Sequence, residues 1–162
     1  MIHKVLSVKQ PCSHLICSGI KDIENRTWKL PEKYKGQRVL IHASSDKKFN
    51  YDVLNIKQYN AFLDKQTFKR DDFPFVDKLT RSAIIGSVEI VDCVINHPGI
   101  WAEKSNPISF DEYGYPLEYE KKIYNWVLAN PILFDKPILN VKGKLGFWDY
   151  DLPEEYETIL KL

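Results

Sequence analysis

The chain has 162 residues, 44% of them hydrophobic, which is enough to bury a core without help from disulfides or metals. Lys and Arg number 23 against 22 Asp and Glu, and a formal charge of +1 excludes the strongly basic composition of a protein that grips long stretches of nucleic acid. No run of 18 apolar residues occurs and the N-terminus enters a strand-like pattern at once, so the expectation is one soluble, cytoplasmic domain over residues 1–162 with no membrane partner.

In chain order, Val5 to Val8 reads as a short strand. Pro11 then opens a helix carrying Cys12, Leu15 and Ile16, and Gly19 stops it. Ile20 to Trp28 alternates as a strand would, with Asp22, Glu24, Arg26 and Trp28 on one side. The turn Lys35-Gly36-Gln37 leads into Arg38 to Ser44, with Val39, Ile41 and Ala43 on an apolar face and Arg38, Leu40, His42 and Ser44 on a mixed one. Phe49, Val53, Ile56, Tyr59 and Leu63 recur near the helical period and predict an amphipathic helix between Asn50 and Gln66 that covers the sheet.

Ala83 to Ile95 is apolar on both faces and is predicted to run through the middle of a barrel, with Gly86 at a bulge or bend. From Asn96 to Lys122 the prolines and glycines punctuate an aromatic, acidic excursion over the surface, of the length that functional lids have. Strands follow from Ile123 to Pro131 and from Leu145 to Tyr150, and Pro153 with its neighbouring acids suits the first turn of a last helix. Five or six strands with two or three helices make an α+β, barrel-like fold.

The charge is unevenly placed. Residues 1–50 hold ten Lys and Arg against four acids, and Asp149 to Glu157 holds five acids and no base. That distribution permits a local anion-binding face. Cys12, Cys17 and Cys93 form no CxxC pair and are odd in number, so reduced thiols are expected. His3, His14, His42 and His97 lack a metal-ligand spacing, and neither a metal nor a cofactor is expected.

Ser18 to Trp28 packs charges and a tryptophan into one short segment. Glu89 lies in the most hydrophobic strand, where a bare carboxylate costs several kcal/mol, so a partner is required; Lys21 and Arg26 are the basic candidates. Trp28, Trp126 and Trp148 offer faces on which a base stacks with roughly 1–3 kcal/mol.

Leu6-Ser7-Val8-Lys9-Gln10-Pro11, the Gly19 to Trp28 segment, Leu40-Ile41-His42-Ala43-Ser44, Ile85 to Ile90 and Lys142 to Trp148 together resemble the ASCH (activating signal cointegrator homology) domain family, in the right order over almost the whole chain. The resemblance implies a PUA-like mixed β-barrel with flanking helices and a cleft lined by Lys21, Glu24, Arg26 and Glu89. It further implies Lys21, Glu24 and Glu89 as catalytic candidates, and Arg26, Trp28, His42, Ser44, Trp126, Lys144 and Trp148 as ligand-binding candidates. One branch resembles an amidohydrolase that deacylates N4-acetylcytidine with a Lys, a Thr three residues later and a Glu. Lys21 and Glu89 match that pattern, and Glu24 stands where the threonine would be. A glutamate there has to activate water instead of attacking.

Three functions follow as expectations. The first is a module that holds RNA or a modified nucleoside, as a single strand or a single unit, since +1 suits few phosphate contacts. The second is an amidohydrolase acting on an N4-acylated cytidine-type nucleoside. The third is a protein-interaction module whose contact surface is the excursion from Trp101 to Tyr119.

Overall fold

The computed structural model describes residues 1–47, 53–65 and 78–160. The elements are β1 (Ile2–Val8), α1 (Cys12–Cys17), β2 (Ile23–Arg26), a 3-10 turn (Glu32–Tyr34), β3 (Gln37–Ala43), α2 (Ile56–Lys65), β4 (Ala83–Val94), β5 (Pro107–Phe110), β6 (Pro116–Tyr119), β7 (Tyr124–Ile138), β8 (Phe147–Asp151) and α3 (Glu154–Leu160). Phe49, Asn50 and Gln66, expected at the ends of the second helix, lie outside the described residues.

Six strands form one curled half-barrel sheet in the order β2-β7-β4-β3-β1-β8, and β5 with β6 forms a separate hairpin. The α+β barrel-like expectation holds. Strand β1 pairs parallel with β3, Ser7 against His42; β4 pairs antiparallel with both β3 and β7 and so runs through the interior of the sheet, as its two-sided apolar pattern predicts. Register shifts interrupt the β4–β7 ladder between Ile84 and Gly86, Ser87 and Glu89, and Ile90 and Asp92, and such bulges add the local twist that curls a sheet. At Gly86 a Cβ would lie 2.1 Å from the Ile132 carbonyl oxygen, so only glycine lets the strands approach there.

Helix α1 ends as its sequence dictates. Gly19 takes φ +75°, and the amides of Ser18 and Gly19 donate back to the carbonyls of His14 and Ile16. Its Ile16 and Cys17 join Leu6, Val39, Ile41, Val88, Ile90 and Trp126 in the main core on one face of the sheet. The opposite face carries Val5, Leu40, Ile84, Phe134 and Trp148, covered by Leu152, Tyr156 and Ile159 of the C-terminal segment. Helix α2 opens on a reciprocal cap: the Gln58 amide donates to Asn55 Oδ1 and the Asn55 amide to Gln58 Oε1. Its Phe62 packs with Leu15, Ile20, Ile23 and Trp101 in a third cluster, whereas Val53, Ile56, Tyr59 and Leu63, expected on the covering face, are exposed: the helix packs through Phe62, which the predicted period left out.

The excursion after β4 is more ordered than a plain surface loop. Asn125 is fully buried and donates to Asn25 Oδ1 and the Glu103 carbonyl, while Asn25 donates to the Trp101 carbonyl. These bonds fasten residues 96–106 to the β2–β7 edge. The β5–β6 hairpin beyond them stands out, with Ile108, Phe110, Tyr113, Tyr115 and Leu117 exposed.

Candidate functional site

Strand β2 starts at Ile23, later than the alternation predicts, and that start places the site's first cation. In a regular strand Lys21 and Glu24 would point to opposite faces. Because Lys21 precedes the strand, its side chain folds back along it, donating to the Ile23 carbonyl and to Glu24 Oε2 at 3.2 Å. Arg26, two residues beyond Glu24, shares its face and brings Nε to 3.0 Å from Glu24 Oε1. Each carboxylate oxygen of Glu24 therefore faces one cation.

This cluster is buried. Lys21 is 6% exposed and Glu24 7%. Glu24 lies opposite Trp126 in the β2–β7 register, so the cluster sits against the main core. Trp28 meets Trp126 edge-on at 4.6 Å, and Phe147 stacks on Trp126 at 5.6 Å with planes 9° apart. Trp126 is fully buried, and its indole Nε1 has no hydrogen-bond partner among the described residues. Trp28 and Phe147 are half-buried and keep part of each ring at the surface. Cys12 also flanks the cluster: burial pushes its thiol pKa up, and the Lys21 charge pulls it down.

Glu89 belongs elsewhere. Its expected contact with Lys21 or Arg26 is replaced by one with Arg38, whose NH2 group lies 2.9 Å from Oε1, while Asn130 Nδ2 donates to Oε2 at 2.8 Å. Val88 and Ile90, its chain neighbours, point into the core that holds Trp126, so Glu89 faces the other side of β4. Arg38, directly opposite in register, also donates to Ser87 Oγ and the Asn130 carbonyl. The cleft expected to join Glu89 to Lys21 and Glu24 is therefore split by the sheet.

His42, Trp148 and Lys144 gather around Ser7. Trp148 Nε1 donates to Ser7 Oγ at 3.3 Å, His42 Nδ1 lies 3.2 Å from the same oxygen, and Ser7 Oγ is 3.1 Å from the Lys144 carbonyl. His42 Nε2 is 2.8 Å from the Val141 carbonyl oxygen, and burial lowers the His42 pKa. Gly143 presses so close that a Cβ would lie 2.6 Å from His42 Cε1. Lys144 reaches over the Trp148 ring at 5.5 Å. Ser7 joins the two clusters: its hydroxyl serves this one, and its carbonyl accepts from Arg26 NH2 at 2.9 Å. The sequence reading missed Ser7, although its place in the Leu6 to Pro11 segment marked it. Ser44 is half-buried, donates its amide to the Val8 carbonyl and continues the β1–β3 pairing.

The basic N-terminal third is largely neutralised from other elements. Lys4 pairs with Asp149, Lys35 with Asp92, Arg38 with Glu89 and Lys9 with Asp46. Cavities of about 240 Å³, beside Gln10, His14 and Phe134, and about 300 Å³, beside Lys4, Tyr34 and Arg38, both lie away from Lys21 and Glu24. Next to the buried Lys21 and Glu24 in the same segment, Arg26 and Trp28 are half-buried. Among the described residues no group of His, Cys, Asp or Glu is arranged to hold a metal, and no helix is long and apolar enough to cross a membrane.

The family profile of the ASCH domain matches residues 6–138. Among solved structures, the ASCH protein from Zymomonas mobilis superposes with a TM-score of 0.51 at 16% identity, covering 98% of this chain and 94% of that one. A serine-to-alanine variant of the same protein gives 0.50 at 15% over 98% and 94%, and a tyrosine-to-phenylalanine variant 0.51 at 16% over 98% and 96%. At these identities the likeness concerns the fold. No curated protein matches the chain significantly.

Proposed function

The chain belongs to the ASCH domain family, and on that premise we propose that it binds an unpaired RNA nucleotide or a modified nucleoside over the Lys21–Glu24–Arg26 cluster. The observation that carries this reading is the buried carboxylate of Glu24, held between two cations opposite Trp126, whose ring meets those of Trp28 and Phe147. The aromatic rims supply a stacking surface, and Arg26, a fifth exposed, supplies donors for a base edge or phosphate. The buried Trp126 donor would be satisfied by an internal water.

Binding is favoured over hydrolysis by the state of the two carboxylates. A general base needs a free lone pair within reach of the proton it takes. Glu24 Oε2 already accepts from Lys21, Oε1 lies 3.0 Å from Arg26 Nε in an ion pair without hydrogen-bond geometry, and Glu89 faces the other side of the sheet. Tryptophan fluorescence, titrated with nucleosides and short single-stranded RNAs, tests the reading: a saturable response is expected, weakened tenfold or more in folded Lys21→Met. No response from folded protein across the panel would remove it. Release of cytidine from N4-acetylcytidine would replace it with the hydrolase.

A second reading rests on the β5–β6 hairpin, whose tip exposes Tyr113 at 77%. As a protein contact surface it predicts a stoichiometric partner lost on deleting residues 107–119 and retained in Lys21→Met.

A further inference from the structure

Resting on the RNA reading, we infer a second subsite: the groove between the start of β1 and the 3-10 turn takes the phosphodiester backbone of the strand whose unpaired base occupies the Lys21–Glu24–Arg26 site. Two independent features meet there. The first is a row of rings. Trp28 contacts Phe147 edge-on at 5.8 Å, and Phe147 contacts Tyr34 at 4.1 Å. All three rings are half-buried, so the row leads along the surface away from Arg26 and Trp28.

The second feature is where the row ends. Tyr34 lines the groove of about 300 Å³, and its neighbours in the wall are His3, Lys4, Lys33, Gln37 and Arg38, of which His3 is held by Glu157 at 2.8 Å and, of the basic side chains, Lys33 alone meets no carboxylate among the described residues. Lys33 is exposed, lies over the Tyr34 ring at 5.1 Å and meets no carboxylate within ion-pair distance among the described residues. Lys4 pairs with Asp149, but both side chains are well exposed, and an exposed pair contributes only about 0–1 kcal/mol, so a phosphate exchanges for the aspartate at little cost. Arg38 is fixed by Glu89, Ser87 and Asn130 and serves as the floor.

The chemistry that fits is a single strand. Bases stack on flat rings whatever their identity, and the phosphates between them need point charges such as Lys33 and Lys4. A free nucleoside would use the Lys21 end alone. A strand of several nucleotides would use both ends, and the groove's share of its binding would depend on salt, with a slope near −0.7 per phosphate neutralised.

The test compares six-nucleotide homopolymeric RNAs with the matching nucleosides, titrated by fluorescence at several salt concentrations against wild type and Lys33→Glu/Lys4→Gln. Both changes lie at the surface, and circular dichroism verifies the fold. The hexamer is expected to bind wild type at least tenfold tighter than its nucleoside. The double variant should lose most of that margin and flatten the salt slope by about 1.4, two phosphates' worth, while nucleoside affinity stays unchanged. Hexamer and nucleoside binding wild type equally, or a double variant with unaltered hexamer affinity and slope, would overturn the groove and leave the cluster reading standing. Wild type that binds neither probe would overturn both.

Discussion

Replacing Glu24 with glutamine probes the cluster on which the account turns. The substitution keeps the shape but turns one carboxylate oxygen into an NH2 donor, which must face either Lys21 or Arg26. Lys21 is 6% exposed, so in either orientation it carries a buried charge with no opposite charge beside it, held only by neutral acceptors such as the Ile23 carbonyl. Breaking a buried ion pair by removing one partner costs about 3–5 kcal/mol. Arg26 is a fifth exposed and keeps its bond to the Ser7 carbonyl, which places the expected cost at the lower end, about 3 kcal/mol. In a chain of this length each kcal/mol moves Tm by about 2–4 °C, so Glu24→Gln should melt roughly 6–12 °C lower. Adding Lys21→Met removes the orphaned cation and should recover about 1–2 kcal/mol, a coupling that a double-mutant cycle in urea reads directly. A single-variant loss below about 0.5 kcal/mol, or a double variant whose loss equals the two single losses added, would refute the reasoning.

Other consequences follow from burial and close approach. Gly86→Ala forces a Cβ into the Ile132 carbonyl oxygen and Cys17 Sγ, and should yield little folded protein on expression, judged by soluble yield and circular dichroism. Burial lowers the pKa of both His14 and His42, so below about pH 6.5 the unfolded chain holds more protons than the folded one. Stability should therefore fall as pH drops from about 7 to 5, levelling off below the two folded values, and His42→Gln should reduce the slope of urea-derived stability against pH. Cys17 is buried, and its burial drives the thiol pKa far upward, so a thiol reagent should label at most Cys12 and Cys93 in native protein and reach Cys17 only in denaturant.

The sequence made the fold legible wherever local chemistry and tertiary packing agree. Pro11 and Gly19 bracket α1, the apolar run of β4 places it inside the sheet, and Lys21, Glu24 and Arg26 pair within their shared segment. What escaped is long-range. Glu89 looked inward because β4 is apolar on both faces, but the side it takes depends on its register with Arg38 and on the bulge beside Ser87, neither of which local pattern reveals. Tyr34 had no mark of its own, and Phe147 only its place in the Lys142 to Trp148 segment; their contact joins the last strand to a 3-10 turn more than 100 residues earlier. The β5–β6 hairpin hid behind its prolines and glycines, since pairs such as Phe110 with Pro116 are set by register and not by period. His42 and Trp148 were singled out, yet their position on the opposite face from Trp126, gathered around Ser7, follows only from sheet order.

The central claim is that an unpaired base settles over Glu24 against Trp28. It is tested most directly by following the indole N–H signals of Trp28, Trp101, Trp126 and Trp148 in ¹H–¹⁵N spectra while a short single-stranded RNA is added. The account predicts saturable shifts at Trp28, Trp126 and the backbone amide of Arg26, with Trp101 unmoved. Shifts confined to the β5–β6 hairpin around Tyr113 and Tyr115, or none at Trp28 and Arg26 with the protein folded and RNA in excess, would contradict it.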